Sequence, residues 1–145
     1  MSVVIITGST GLVGSEAVNF FCDKGFDVVG IDNNLRRFFF GNDGSTLWIK
    51  NKLLKRNKKF KNFNVDIRNT ENLKKIFKKY SKNTALIIHC AAQPSHDWAT
   101  KKAFVDFDIN ADNTSFQNIK IVEETTENVV ISKKEAEEEI NWDDI

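Results

Sequence analysis

The chain has little of what punctuates or cross-links a fold. Its 145 residues include one proline, seven glycines, two cysteines, two histidines and one tyrosine. The lone Pro94 excludes a proline-rich linker. Cys22 and Cys90, each set among apolar residues, do not make a disulfide framework. Two buried thiols in a reducing compartment, the cytoplasm, are expected. Two histidines and two cysteines without ligand spacing exclude a metal cluster. No apolar run approaches the roughly 20 residues that cross a bilayer, and no basic segment precedes the short opening apolar stretch. Neither a membrane span nor a signal peptide is expected.

What is present is 41% hydrophobic residues, enough for one domain with a core. The net charge of +1 conceals a division: residues 1–114 hold 18 Lys and Arg against 11 Asp and Glu, while residues 115–145 hold 3 against 9. Seven basic residues lie between Lys50 and Lys61, on an expected exposed helix and loop with Leu53, Leu54 and Phe60 as its apolar side. We read that stretch as a solvated face in preference to a nucleic-acid surface. Its positive field would also suit a phosphate-rich substrate.

Three of the glycines, Gly8, Gly11 and Gly14, stand three apart directly behind Val3-Val4-Ile5-Ile6. The apolar run reads as a buried strand, the glycines as a tight turn, and Ser15 to Lys24 as a helix. Residues without side chains let the backbone close on a bulky anion, and the unpaired N–H groups and dipole of a helix start favour negative charge. A second strand-like run, Val28 to Ile31, ends in Asp32, 18 residues past Gly14. A carboxylate there takes ribose hydroxyls and repels a 2′-phosphate, which favours NAD over NADP.

The rest of the pattern alternates. Asn33 to Ser45 reads as a long loop carrying Phe38-Phe39-Phe40, Thr46 to Arg56 as a helix, and Lys61 to Val65 as a strand stopping at Asp66. Asn69 or Thr70 can cap a helix whose Leu73, Ile76, Phe77 and Tyr80 share one face. Ala85 to His89 reads as a strand covered on both faces, with His89 as a core histidine. The expected fold class is α/β, a Rossmann-type parallel sheet with flanking helices. Residues 1–114 form that region. Residues 115–132 continue it either as a helix and a strand over Asn128 to Ser132 or as a hairpin, and residues 133–145 are an acidic tail, helical or disordered.

Four segments together, Thr7 to Gly14, Asp32-Asn33-Asn34, Asp66-Ile67-Arg68 and His89 to Gln93, resemble the extended short-chain dehydrogenase/reductase superfamily of nucleotide-sugar epimerases and dehydratases. Arg36 to Gly41 with Gly44 to Trp48, and Ala92 to Trp98, are similar to the CDP-paratose 2-epimerase (CDP-tyvelose epimerase) group within it. The resemblance covers about residues 1–114. It implies that Gly8, Thr10, Gly11, Leu12, Val13 and Gly14 cradle a pyrophosphate, that Asp32 and Asn33 hold the adenosine ribose, and that Asp66 and Ile67 border the adenine. It places Ala91, Ala92 and Gln93 on the nicotinamide side and Ser95, His96 and Trp98 in a loop near the sugar. The implied cofactor is NAD and the implied substrate a nucleotide sugar.

The sequence also departs from that pattern. Asn113 stands where the family's Asn-x-x-Gly-Thr signature, begun here at Asn110, has glycine. No Tyr-x-x-x-Lys pair is present: the single tyrosine, Tyr80, is followed four residues on by Thr84. No catalytic residue is therefore assigned, and the family's substrate lobe has no counterpart in these residues. The expectation is a shortened cofactor-binding portion of an epimerase, inactive alone. The alternatives are a non-catalytic nucleotide-binding or assembly module, or one half of a split epimerase or dehydratase. Partners would then be a complementary carboxyl-terminal half or a second copy of the chain, with neither nucleic acid nor membrane.

Overall fold

The computed structural model of the chain describes residues 2–111. The elements expected over 115–132, the tail and Asn113 lie outside them. Four parallel strands, β1 (Val3–Thr7), β2 (Asp27–Ile31), β3 (Phe60–Phe63) and β4 (Thr84–His89), form one sheet in the order β3-β2-β1-β4. Starting the chain in the centre of the sheet and building outward in both directions is the doubly wound arrangement expected of the alternating pattern. β1 is a run of β-branched residues buried throughout, as a strand covered on both faces requires.

Alternate residues of β1 and β2 divide between two cores. Val3, Ile5, Val29 and Ile31 face Phe39, Ile67, Leu73, Ile76, Phe77 and Ile109. Val4, Ile6 and Val28 face Val18, Leu53 and Phe60. The helices α1 (Leu12–Asp23) and α3 (Leu47–Arg56) thus cover one side of the sheet, and α4 (Thr70–Tyr80) the other. α4 forms as its sequence dictates. The Asn69 side chain accepts the Asn72 N–H at 3.0 Å as its cap, Leu73, Ile76 and Phe77 are buried, and burying each such side chain contributes about 1.5–3 kcal/mol.

Several expectations need correction. α1 begins at Leu12, one turn earlier than Ser15, because the Ser15 N–H already bonds the Gly11 carbonyl at 2.9 Å. β3 runs from Phe60 to Phe63 and ends before Val65. The loop after β2 contains a short helix, α2 (Arg36–Phe40), and a 3-10 turn over Asn42–Gly44. Phe39 is in the core while Phe38 stacks on Trp98 with ring centres 4.9 Å apart. On α3 the apolar side is buried at Leu53, but Leu54 faces solvent.

β4 is not covered on both faces among the described residues: Ala85, Leu86 and His89 are exposed, and it is one of the two edge strands of the described sheet. Its pairing with β1 slips by one residue between Val3 and Val4, where Thr84 and Leu86 are the successive partners. Two further helices, α5 (His96–Lys101) and α6 (Ala103–Asn110), follow β4. Ser95, His96 and Trp98 therefore occupy the cap and first turn of a helix, not a loop. The two cysteines are half-buried free thiols. Among the described residues no helix is long and apolar enough to cross a membrane.

Candidate functional site

Because all strands run in parallel, the segments following β1, β2, β3 and β4 emerge at the same end of the sheet. The turn after β1 depends on glycine for steric reasons. Gly8 has φ +64°, and a Cβ there would lie 2.7 Å from the backbone nitrogen of Ala91. A Cβ on Gly14 would run into the Gly8 carbonyl and approach the Ser9 Cα to 2.9 Å. Gly11 caps α1 without a side-chain hydrogen bond, and no acidic residue occupies the first turn of the helix. The amino end of α1 is therefore an uncapped set of donors, flanked by Leu12 and Val13, which are 84% and 66% exposed.

β2 delivers Asp32 to this turn. Asp32 Oδ2 accepts the Thr10 N–H at 3.0 Å and Oδ1 accepts the Asn34 N–H at 2.8 Å. Asn34 adopts the left-handed conformation, φ 59°, which asparagine tolerates better than most residues. Its side-chain oxygen accepts the Thr46 N–H at 2.7 Å, and the Thr46 hydroxyl lies 2.8 Å from that of Thr10. The result is a polar cavity of about 190 Å³ lined by Thr10, Asp32, Asn33, Asn34, Thr46, Leu47, Lys50 and Asn64. A shallower hollow lined by Asn51, Lys52, Leu54 and Lys55 draws all its residues from one helix and gathers no convergent groups.

After β3, Asp66 is held from both sides. Arg68 donates to it from its backbone N–H, from Nε and from Nη2, and Asn33 donates its amide at 3.0 Å. Hydrogen bonding to Arg68 is the main cause that holds the Asp66 carboxyl below its ordinary pKa. Arg68 also reaches Asp108 on α6 at 3.0 Å. Ile67 is buried beneath them.

After β4, Thr7 organises the chain. Its hydroxyl oxygen accepts the N–H groups of Cys90 and Ala91 at 3.2 and 3.3 Å and lies 2.7 Å from His89 Nδ1. The Cys90 N–H is shared with the Thr7 carbonyl at 3.1 Å, and a Thr7 hydroxyl donating to Nδ1 corresponds to the neutral Nε2–H tautomer of His89. His89 is thus satisfied as expected, but from a partly exposed position on β4, an edge strand among the described residues, and not in the core. Burial of its ring still lowers its pKa, and burial raises that of Cys90.

Ala92 is exposed while Gln93 is buried and saturated. The Gln93 amide donates to the Ser95 carbonyl and to Asp106, accepts from the Ser95 N–H, and its backbone N–H bonds Asn110 at 2.7 Å. Ser95 caps α5 and His96 is exposed on its first turn. Tyr80 lies at the opposite end of the sheet, next to the start of β4, where its carbonyl accepts the Thr84 hydroxyl at 2.9 Å.

The structure thus gathers the glycine turn, Asp32, Asn33, Asp66 and Ala91 at one end, and sets Tyr80 apart from them. Sequence reasoning missed Asn34, Thr46, Lys50 and Asn64 as lining residues. Asn34 carried a signal, as one of the few residue types that accept positive φ. Lys50 carried none beyond its membership of a basic run.

The family described as GDP-mannose 4,6 dehydratase matches residues 5–123. The chain belongs to that family, within the NAD-dependent epimerase/dehydratase superfamily of short-chain dehydrogenases/reductases. Over 114 residues, 79% of the chain, it is 30% identical to the UDP-glucuronate 4-epimerase of Thermodesulfobacterium geofontis and covers 33% of that protein. Its fold matches the UDP-Glc/GlcNAc 4-epimerase of Campylobacter jejuni with a TM-score of 0.63 at 22% identity, over 81% of this chain and 32% of that one. It also matches the UDP-glucose 4-epimerase of Bifidobacterium longum in complex with NAD+ and UDP, with a TM-score of 0.63 at 23% identity, over 78% of this chain and 31% of that one. The chain spans about a third of the length of these relatives.

Proposed function

We propose that this chain binds NAD as the cofactor-holding portion of an enzyme that remodels nucleotide sugars. The observation that carries the reading is the Asp32 carboxylate, anchored to the glycine turn by the Thr10 N–H and bordering a polar cavity at the carboxyl ends of the strands. A carboxylate has about four acceptor sites. Two are engaged by Thr10 and Asn34, which leaves two for ribose hydroxyls. The uncapped donors at the amino end of α1 suit a pyrophosphate, and the tight turn that Gly8 and Gly14 permit sterically is what presents them. Gly8, Thr10, Gly11, Leu12, Val13 and Gly14 would hold the phosphates, Asp32 and Asn33 the ribose, Asp66 and Ile67 the adenine edge, and Ala91, Ala92 and Gln93 the nicotinamide side.

When bound, NAD supplies hydride exchange with a sugar carbon. The resemblance of Arg36 to Gly41 with Gly44 to Trp48, and of Ala92 to Trp98, to the CDP-paratose 2-epimerase group supports a CDP-linked sugar as the substrate, with Ser95, His96 and Trp98 near it. Removal of an alcohol proton needs a base within hydrogen-bond reach, and Tyr80, at the far end of the sheet, does not provide one. We propose that the base, which Tyr80 does not supply among the described residues, comes from a complementary carboxyl-terminal half or a larger assembly. The two separate thiols fit a cytoplasmic setting.

Titration of the chain with NAD is the test. Saturable binding with a rise in melting temperature is expected, since ligand at 100 times Kd stabilises by about 2.7 kcal/mol. Absence of saturation, with an unchanged melting temperature in excess NAD, would overturn the reading. Epimerisation or dehydration of a CDP-sugar on adding a carboxyl-terminal half would distinguish a split enzyme from a non-catalytic module.

A further inference from the structure

The outer side of α3 is left open by the rest of the described fold. Ile49 and Leu53 turn into the core, while Leu47, Trp48 and Leu54 are 46%, 65% and 43% exposed. Leu47, Asn51 and Leu54 stand at i, i+4 and i+7, with Trp48 and Lys55 beside them, so they share one face. A shallow hollow lined by Asn51, Lys52, Leu54 and Lys55 opens on it. No acidic residue stands between Asp43 and Asp66, against seven basic ones. Arg56 pairs with Asp23 and Lys59 bonds the Gly25 carbonyl, whereas Lys52, Lys55 and Lys58 are exposed and form no ion pair among the described residues. Large apolar side chains set among free cations suit an occupant that is both apolar and acidic.

Residues 133–145 have that chemistry: six acidic residues against two lysines, with Ile140, Trp142 and Ile145 among them. We propose that this segment docks on the outer face of α3 of its own chain, with Ile140 and Trp142 against Leu47, Trp48 and Leu54 and its carboxylates against Lys52, Lys55 and Lys58. The residues between Ala111 and Glu135 span up to about 75 Å at ~3.3 Å each, several times the ~13 Å radius of gyration of a domain of this size, so the face is within reach. Tethering supplies an effective concentration on the order of mM, at which a weak contact is already populated. α4 also exposes Lys74, Lys75, Lys78 and Lys79, but it carries Glu71 and shows solvent no large apolar side chain. Its charge alone offers nothing to Ile140 or Trp142. Leu47 belongs both to the α3 face and to the lining of the cavity beside Asp32, so the docked segment stands at the rim of that cavity.

The experiment is zero-length carbodiimide cross-linking of the full chain at low salt, on an equal mixture of isotopically labelled and unlabelled protein, with the links mapped by peptide mass spectrometry. Links from residues 135–144 to Lys52, Lys55 and Lys58 are expected within chains of one label, about fivefold or more above links to the α4 lysines. They should fall severalfold in about 1 M salt, where the screening length is ~3 Å. The paired change Trp48→Ser and Leu54→Ser keeps every lysine and is expected to lower these links by about fivefold. The paired change Ile140→Ser and Trp142→Ser leaves the described domain untouched, and the same fall is expected. Equal yields at α3 and α4, or an unchanged yield in the Ile140 and Trp142 variant, would mean diffuse charge attraction and overturn the proposal. Links between chains of different label would assign the face to a second copy, and absence of links to α3 would assign it to another occupant, nucleic acid included; either result also overturns it.

Discussion

The backbone N–H of Thr10 lies 3.0 Å from Asp32 Oδ2, which ties the turn after β1 to the end of β2 through one carboxylate. The second oxygen takes the Asn34 N–H at 2.8 Å and so supports the left-handed residue that leads into α2. Hydrogen bonds to a charged group contribute about 1.5–3 kcal/mol each. Asp32→Ala, which removes both bonds, is therefore expected to lower unfolding free energy by about 3 kcal/mol or more at neutral pH, and Asp32→Asn, which keeps one acceptor, by roughly half as much. Urea unfolding followed by circular dichroism checks this. An unchanged midpoint for the alanine variant would mean that the carboxylate does not organise the turn.

The glycines separate steric from conformational need. Gly14→Ala drives a Cβ into the Gly8 carbonyl, where only backbone can yield, and is expected to cost about 3 kcal/mol or more. Gly25 has φ +90°, but a Cβ there meets nothing within 4 Å. Gly25→Ala should cost about 1–2 kcal/mol, the strain of positive φ alone. Equal melting temperatures for the two variants would contradict the packing described for the turn.

The strands and α4 were legible because their cause is local. β-branched runs, glycine spacing and an Asn69 cap ahead of Leu73, Ile76 and Phe77 act within a few residues. α5 and α6 were not, since α5 has six residues and α6 buries Ile109 while leaving Phe104 92% exposed, so neither presents an apolar stripe. The exposure of Ala85, Leu86 and His89 on β4 among the described residues is not encoded in an apolar run, which looks the same in a strand covered on one face or on both. Glycine spacing and Asp32 announced the site, but the internal bonds of Asp32 follow from the conformation of Asn34. The saturation of Gln93 depends on residues 13 and 17 positions away.

Asp66, Arg68 and Asp108 join the end of β3 to α6. The Asp66 carboxyl is held below its ordinary value of 3.8, chiefly by the hydrogen bonds from Arg68. A carboxyl with a depressed folded-state pKa contributes stability that is present above its unfolded pKa and lost as pH falls through the folded one. Stability should therefore decline below about pH 4 partly through Asp66. Arg68→Ala should flatten that part of the curve, and hydrogen exchange should then quicken in α6. If the acid limb of the Arg68→Ala curve superimposes on that of the parent, the triad does not control acid stability.

His89 gives the opposite edge of the sheet its own pH dependence. Burial lowers its pKa from the ordinary 6.5, and the neutral Nδ1 accepts the Thr7 hydroxyl whose oxygen receives Cys90 and Ala91. Protonation would place a donor on Nδ1, where the neutral ring accepts the Thr7 hydroxyl. The unfolded chain binds this proton more readily than the folded one, so the contribution of His89 is present above pH 6.5 and lost as pH falls toward the depressed folded value. His89→Asn presents a non-titrating amide oxygen near the position of Nδ1. The variant is expected to keep most of its stability at pH 8 and to lose less than the parent between pH 7 and pH 5. Urea midpoints across that range measure both, and parallel slopes for the two proteins would show that the Thr7–His89 bond does not carry the pH dependence.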